Sequence, residues 1–312
     1  MVEGAMSRPR TFRRVVILGH TGFVGTHLER LFRLRSPECE LIGRSAPGCD
    51  LTQEEHVRSL APIVDLDTAV LMCAAIKRQF GDSLETFSRN LKMVTNLCAL
   101  LRERPAGRLV FFSSAAVYGE NIHHTNITEA TPVSPTSYYG AAKFAAECLL
   151  QKAFPTSERS SLLVVRPALI YGPGDNGETY GPSGFVRAAL SGRPITLWGD
   201  GAERREFVFV DDAVSLVHRL TFQDASGVVN LVSGRSQTFK EAVETVARVM
   251  GEELVLTSRP RTNAKVDHGF SNAALRQLVP DVAFTDLEEG IRRTLESESQ
   301  RMRLRDYAPA RV

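Results

Sequence analysis

The chain has 312 residues, 43% of them apolar, which is enough to bury a large core in one big domain or two closely joined ones. Its 38 basic and 36 acidic side chains nearly cancel, so the clear basic excess of a nucleic-acid-binding face is excluded. Five cysteines at 39, 49, 73, 98 and 148 include no CxxC pair, which argues against a disulfide framework or zinc centre and fits reduced thiols in a cytoplasmic protein.

No signal-type apolar stretch precedes residue 15 and no apolar run is long enough to span a bilayer, so no membrane partner is expected. The ends are basic, with Arg8, Arg10, Arg13 and Arg14 at the start and Arg301, Arg303, Arg305 and Arg311 at the finish. Residues 1–13 and 299–312 therefore read as solvated, flexible tails.

Strands and helices alternate through the first half. "RRVVILG" (13–19) is a buried strand, and 23–34 has helical spacing in Phe23, Leu28, Leu31 and Leu34. "CELIG" (39–43) and "TAVLMCAA" (68–75) are the next strands, followed by a long helix over 85–103. "RLVFFSS" (108–114), a helix over 138–152 and "SLLVVRPALIY" (161–171) complete the series. Apolar strands alternating with helices predict an α/β fold, a doubly wound Rossmann-type parallel sheet covered on both faces.

After Tyr171 the regularity breaks. "GPGDNGETYGPSG" (172–184) is a Gly/Pro-rich loop of a length that usually carries function. A helix (184–191), "ITLWGDG", strands over 206–212 and 228–234, and an amphipathic helix over 238–250 follow. The expected organisation is a dinucleotide-binding domain (14–170 and 206–233) with a smaller mixed α/β substrate lobe (171–205 and 234–298). Ligands of open α/β sheets sit at the carboxyl ends of the strands, which places the site in the cleft between the two.

The first strand runs into "GHTGFVG". Gly19, Gly22 and Gly25 permit a tight turn, close approach to a pyrophosphate and close helix–strand packing, and the helix N-terminus faces the anion. Thr21, Phe23 and Val24 belong to the same cofactor turn. Where an acid would accept bonds from the ribose of NAD, the second strand ends in Gly43, Arg44 and Ser45. A guanidinium and a hydroxyl suit a 2′-phosphate, so NADP(H) is favoured, with NAD(H) possible.

In "YGAAK" (139–143), Tyr139 and Lys143 stand four apart and project from one helix face. A free tyrosine titrates at about 10, too high for a base at neutral pH, and a neighbouring ammonium together with a positively charged oxidised nicotinamide is expected to lower it. Tyr139 then exchanges a proton with a carbonyl or alcohol oxygen that Ser114, at the end of the fourth strand, holds in place. Of the remaining candidates, His123–His124 reads as a polar loop and no metal site is expected. Trp198 reads as a base-stacking or lobe-core residue, Asp211–Asp212 as helix caps, and Cys73 as a small packed residue.

The ordered set "GHTGFVG", "CDLT", "CAA", Asn90, "SSAAVYG", "YGAAK", "RPALIYGPGD", "GDGAERREFVFVDD" and "VVNLVSG" resembles the extended short-chain dehydrogenase/reductase family, the nucleotide-sugar epimerase/dehydratase group, over residues 14–296. The resemblance implies that Ser114, Tyr139 and Lys143 are catalytic, with Tyr139 and Lys143 also touching the cofactor. It implies that Asp50 and Leu51 flank the adenine, that Cys73, Ala74, Ala75 and Asn90 line the cofactor groove, and that Pro167 lies by the carboxamide. Ser114, Ala115 and Tyr139 would meet the sugar, Arg205 would grip the substrate pyrophosphate, and Arg259 is a further candidate for it.

In the resembled group, 4,6-dehydratases carry an acid just after the strand-four hydroxyl, and reductases that also epimerise carry a Cys at the place of Ala115. Here Ala115 and Ala116 stand there, which leaves reduction of a 4-keto (6-deoxy) sugar or 4-epimerisation by transient oxidation. Leu169 replaces an Asn that often contacts the sugar nucleotide, leaving a non-nucleotide carbonyl open. A non-catalytic NADP-binding sensor or structural subunit is the reading from another class, and a homodimer is the implied assembly.

Overall fold

The computed structural model describes residues 10–154, 156–177, 181–261 and 264–306. The strands are β1 (Arg14–Leu18), β2 (Glu40–Arg44), β3 (Thr68–Met72), β4 (Arg108–Phe112), β5 (His124–Ile127), β6 (Ser161–Pro167) and β7 (Leu169–Tyr171). They continue with β8 (Ile195–Trp198), β9 (Arg204–Phe209), β10 (Gly227–Leu231), β11 (Ser236–Thr238), β12 (Leu256–Arg259) and β13 (His268–Phe270). The helices are α1 (Phe23–Arg35), α2 (Glu54–Arg58), α3 (Leu84–Glu103), α4 (Tyr138–Ala153) and α5 (Pro182–Leu190). Then come α6 (Val210–Phe222), α7 (Phe239–Met250), α8 (Ala273–Leu278) and α9 (Leu287–Asp306).

Six strands form the main sheet in the order β10-β6-β4-β3-β1-β2, and every pairing in it is parallel. The unbroken apolar runs found in the sequence are what a strand covered on both faces requires. One face is packed by α1, α6 and α8 through Leu28, Phe32, Val214, Val217 and Leu275. The other is packed by α3 and α4 through Val94, Leu97, Leu101, Ala146 and Leu150. The chain moves outward from β1 to β2 and then returns to pair β3 against β1. Their carboxyl ends are therefore the switch point where such a sheet opens a crevice.

The smaller sheets draw on the second half of the chain, except for β5. β7, β9 and β11 form one of three strands, β8 pairs β12, and β5 pairs β13. A separate core of Phe185, Phe207, Phe239, Val243 and Ile291 holds α5, α7 and α9 to β7, β8 and β9.

Several boundaries differ from the sequence reading. The run 161–171 is two strands in two sheets, because Ala168 turns the chain and bonds the Leu231 carbonyl. The strand expected over 206–212 spans Arg204–Phe209 and pairs with β7 and β11 outside the main sheet, while Val210–Asp212 already belong to α6. The termini are less free than their charge implies. Arg10 pairs with Asp224 at 2.7 Å, Arg13 with Asp65, and Arg14 with Glu40. At the other end α9 runs on to Asp306, with Arg301 paired to Glu298. Arg8 and Arg311 lie outside the described residues. Trp198 is 48% exposed on its short strand, so it is not a core residue of the lobe. Among the described residues no helix is long and apolar enough to cross a membrane.

Candidate active site

The glycine turn sits at the switch point. Gly19 has φ 94, and a Cβ there would lie 2.7 Å from the Ala74 backbone nitrogen, so the turn after β1 and the loop after β3 touch. At Gly25 a Cβ would come within 2.1 Å of the Gly19 carbonyl oxygen. Only hydrogen fits at either position. Helix α1 then begins at Gly22 with no side-chain cap and no acid in its first turn. Its first N–H groups and positive dipole end remain available to an anion, which fits a dinucleotide pyrophosphate. Phe23 and Val24 are half-buried against the main core, and Thr21 donates its N–H to Ser45 Oγ at 3.1 Å.

Arg44 is exposed at the end of β2, and its guanidinium donates to the adjacent Gly43 carbonyl at 3.0 Å. Ser45 Oγ also meets His20 Nδ1 at 2.9 Å. His20 went unnoticed in the sequence, although its ring fills the space that a side chain at Gly43 would need. Ser45 Oγ thus links His20 to the Thr21 N–H, with Arg44 next to it in the chain, and among the described residues no carboxylate is hydrogen-bonded to Arg44, Ser45 or His20.

The other cofactor candidates divide. Ala74, Ala75 and Asn90 line a small cavity with Phe111, Ala142 and Lys143. The Asn90 amide clamps the following loop, bonding both the N–H and the carbonyl of Ile76 at 2.8 and 3.0 Å. Cys73 packs against this floor with its thiol donating to the Leu18 carbonyl, and burial pushes it up to about 12, far from a reactive thiolate. Pro167 is buried at the carboxyl end of β6. Asp50 turns its carboxylate onto Thr52, whose N–H and hydroxyl hold it below the usual carboxylate range. Leu51 does not offer a side chain to an adenine: it is 5% exposed and belongs to the main core.

The acid–base group forms at the end of β4. Ser113 and Ser114 lie just past the strand, and Ser114 caps the short helical turn Ala115–Tyr118 by accepting the Ala116 N–H. Tyr139 opens α4 beside it. The approach depends on Gly140, whose Cα faces the Ala116 carbonyl so closely that a Cβ would sit 2.6 Å from the oxygen. The Ser114 hydroxyl reaches the Tyr139 phenol. Lys143, 5% exposed, donates to the Phe112 carbonyl at 2.6 Å and lies 5.8 Å from the centre of the Tyr139 ring.

The expected tuning runs the other way. Burial pushes Tyr139 up to about 12; the Ser114 hydrogen bond opposes this, and the Glu120 carboxylate adds to it. Lys143 does not offset the rise, because its ammonium faces a carbonyl and the ring rather than the hydroxyl, and burial brings Lys143 itself down to about 8. Tyr139 is therefore a protonated phenol at neutral pH, and Lys143 remains largely an ammonium.

Beneath this group lies a polar layer that sequence reasoning missed. Arg166 donates to both oxygens of Glu147, at 2.6 and 3.0 Å, and to the Tyr118 hydroxyl at 2.8 Å. Ser113 donates to the same carboxylate, and Tyr118 donates to Asn230 Oδ1 at 2.8 Å. Glu147 stands one turn after Lys143 on α4, which was the available signal.

Arg205 and Arg259 are not brought into this group. The Arg205 guanidinium donates to the Arg204 and Val266 carbonyls, and Arg259 is exposed at the end of β12. Asp211 and Asp212 do not cap α6. Asp211 binds His27 and Arg30, and Asp212 accepts from Thr285, so they tie α6 to its neighbours. His123 accepts the Asp267 N–H and His124 begins β5. Among the described residues no cluster of His, Cys, Asp or Glu could hold a metal ion.

The model of the NAD-dependent epimerase/dehydratase family matches residues 15–258. UDP-glucuronic acid decarboxylase 4 of Arabidopsis thaliana is 27% identical over 281 residues, 81% of this chain and 61% of the relative. The chain thus spans about three fifths of the length of that curated relative. The Thermus thermophilus UDP-glucose 4-epimerase in complex with NAD superposes with a TM-score of 0.77 at 26% identity, covering 91% of this chain and 98% of the other. RMD from Pseudomonas aeruginosa, complexed with NADPH, gives 0.75 at 26% identity, covering 93% and 99%.

Proposed function

The chain belongs to the NAD-dependent epimerase/dehydratase family, and from that premise we propose that it is an NADP(H)-dependent oxidoreductase that reduces a 4-keto (6-deoxy) sugar carried on a nucleotide. The observation that carries this reading is the Tyr139 phenol set beside the Ser114 hydroxyl at the turn after β4, with the buried Lys143 ammonium 5.8 Å from its ring. A phenol that keeps its proton at neutral pH is poised to give it to a carbonyl oxygen, whereas oxidation of an alcohol would need the phenolate first.

When bound, the nicotinamide supplies the hydride. The remaining work falls to this chain's own residues. Ser114 donates to the carbonyl oxygen of the sugar and orients it, and Tyr139 delivers its proton to that same oxygen. Lys143, anchored on the Phe112 carbonyl, keeps the phenol ring in place and presents its other N–H groups to the cofactor ribose. Gly19, Gly22 and Gly25 leave room for the pyrophosphate, and Arg44, with Ser45 and His20 alongside, selects a 2′-phosphate. The lobe expected over 171–205 and 234–298, to which β7 and the whole of β9 also belong, takes the nucleotide, with Arg205 and Arg259 as its phosphate ligands, against the dinucleotide domain of the main sheet. The assembly is a homodimer joined through α3 and α4, which light scattering at micromolar concentration tests.

A second reading, 4-epimerisation by transient oxidation, draws on the likeness to the Thermus thermophilus UDP-glucose 4-epimerase. One assay separates the two. NADPH binding is followed by nicotinamide fluorescence, and the protein is then incubated with dTDP-4-keto-6-deoxyglucose or GDP-4-keto-6-deoxymannose. NADPH consumed in step with product supports reduction; isomerised sugar without net consumption overturns it in favour of epimerisation.

A further inference from the structure

Three segments distant in sequence meet over the Ser114–Tyr139 pair. Arg78, in the loop after β3, donates to Glu120 at 2.7 Å and lies 3.8 Å from Asp82. Glu120 follows the turn that Ser114 initiates. Asp82 reaches 57 residues along the chain and accepts the Tyr139 N–H at 2.9 Å. Helix α4 thus has two caps: its own Ser137 takes the Gly140 N–H, and Asp82 takes the one before it. The next residue, Ser83, caps α3.

We propose that Asp82, Arg78 and Glu120 form a charged strap that positions Tyr139 against Ser114 and biases the pair toward donating a proton. Asp82 is a positioning residue: it fixes the first turn of α4 and so the direction in which the phenol points. Its carboxylate also suits the positive end of that helix. Glu120 sets the charge at the mouth of the site. A carboxylate there makes a second negative charge nearby unfavourable, and the tyrosinate would be that charge. Arg78 joins the two and limits how strongly Glu120 acts. The inference rests on the reading of Tyr139 as the proton donor.

The groups that face Tyr139 are few. Lys143 lies on its own helix, Ser114 on the turn after β4, and Glu120 beyond that turn, while Arg78 and Asp82 come from the strap. Cys73 and Glu147 act on Lys143.

The test places 3-fluorotyrosine at position 139 of the full chain and follows its ionisation by fluorine NMR, since the electron-withdrawing fluorine brings the phenol's titration to lower pH. Glu120→Gln is expected to lower the midpoint by about half a pH unit or more, and Arg78→Met to raise it, because Glu120 then loses its counter-charge. If both variants lower it, the strap only keeps water out; if neither moves it, the strap does not set the charge. Either result overturns the charge assignment. In the reduction assay Asp82→Ala is expected to lower kcat about tenfold at unchanged KM and NADPH affinity. Asp82→Asn, whose amide oxygen still caps the helix, should keep most of the rate. An unaltered kcat in Asp82→Ala overturns the positioning role. The fluorine titration needs no substrate, so a failure to reduce any keto-sugar counts against the proposed reaction and leaves the strap to be judged by NMR.

Discussion

Gly140 and Ala116 approach each other so closely that the helix bearing Tyr139 rests directly on a backbone carbonyl of the turn begun by Ser114. Gly140→Ala would place a methyl 2.6 Å from that oxygen, so one of the two segments must move. The expected outcome is a fall in kcat of about a hundredfold, since a shift near an ångström suffices for that, with NADPH affinity within about twofold. Steady-state kinetics beside a fluorescence titration of the cofactor check the split.

Arg166 and Glu147 make a buried, bidentate pair with side-chain exposures of 6% and 1%. Glu147→Gln leaves the guanidinium without its counter-charge and is expected to destabilise the fold by about 3–5 kcal/mol. Replacing both, as Glu147→Leu with Arg166→Met, should recover much of that loss, because the desolvation of two charges disappears together. Urea unfolding of the three proteins measures it.

Lys143 gives a pH dependence whose sign is fixed. Burial brings its folded value down to about 8, below the 10.5 of an unperturbed lysine. Between those values the unfolded chain binds more protons than the folded one, so this group makes stability rise with pH from about 8 to 10.5. The gain is on the order of 3 kcal/mol. Tyr139 contributes the opposite slope between 10 and about 12, since its folded value is raised. Subtracting the stability profile of Lys143→Met from that of the natural chain isolates the lysine: the difference should climb across the lower window and level off above it.

Cofactor choice should follow Arg44. Arg44→Asp puts a carboxylate where a 2′-phosphate would lie and supplies an acceptor for a ribose hydroxyl. The ratio of NADP to NAD affinity is expected to fall by about tenfold or more, read by parallel fluorescence titrations. An unchanged ratio would remove Arg44 from the phosphate site.

The elements that build the site were legible because their signals are local. Apolar runs gave the strands of the large sheet, the glycine spacing gave the turn after β1, and a four-residue interval put Tyr139 and Lys143 on one helix face. Contacts between distant segments were not legible. Nothing near Asp82 says that it caps a helix starting 56 residues later at Tyr138, and nothing near Tyr118 announces Asn230, 112 residues on. The sign of the Tyr139 shift was missed for the same reason. Spacing shows that a lysine is near, but only the Phe112 carbonyl reveals where its ammonium points. The single run 161–171 concealed a change of sheet, because both halves are apolar; Pro167 was the one local clue.

That change of sheet has a mechanical meaning. Between β6 and β7 the chain has one residue, Ala168, and between β9 and α6 it has none. β7 and β9 run parallel, with Leu169 opposite Phe207 and Tyr171 opposite Phe209, so the two crossings sit at opposite ends of one three-residue ladder. Two crossings with so little slack, laced together by that ladder, moor the sheet of β7 and β9 to the main sheet. The mooring lies two residues from Arg166, so the polar layer beneath the reacting group shares its footing with the junction of the two sheets.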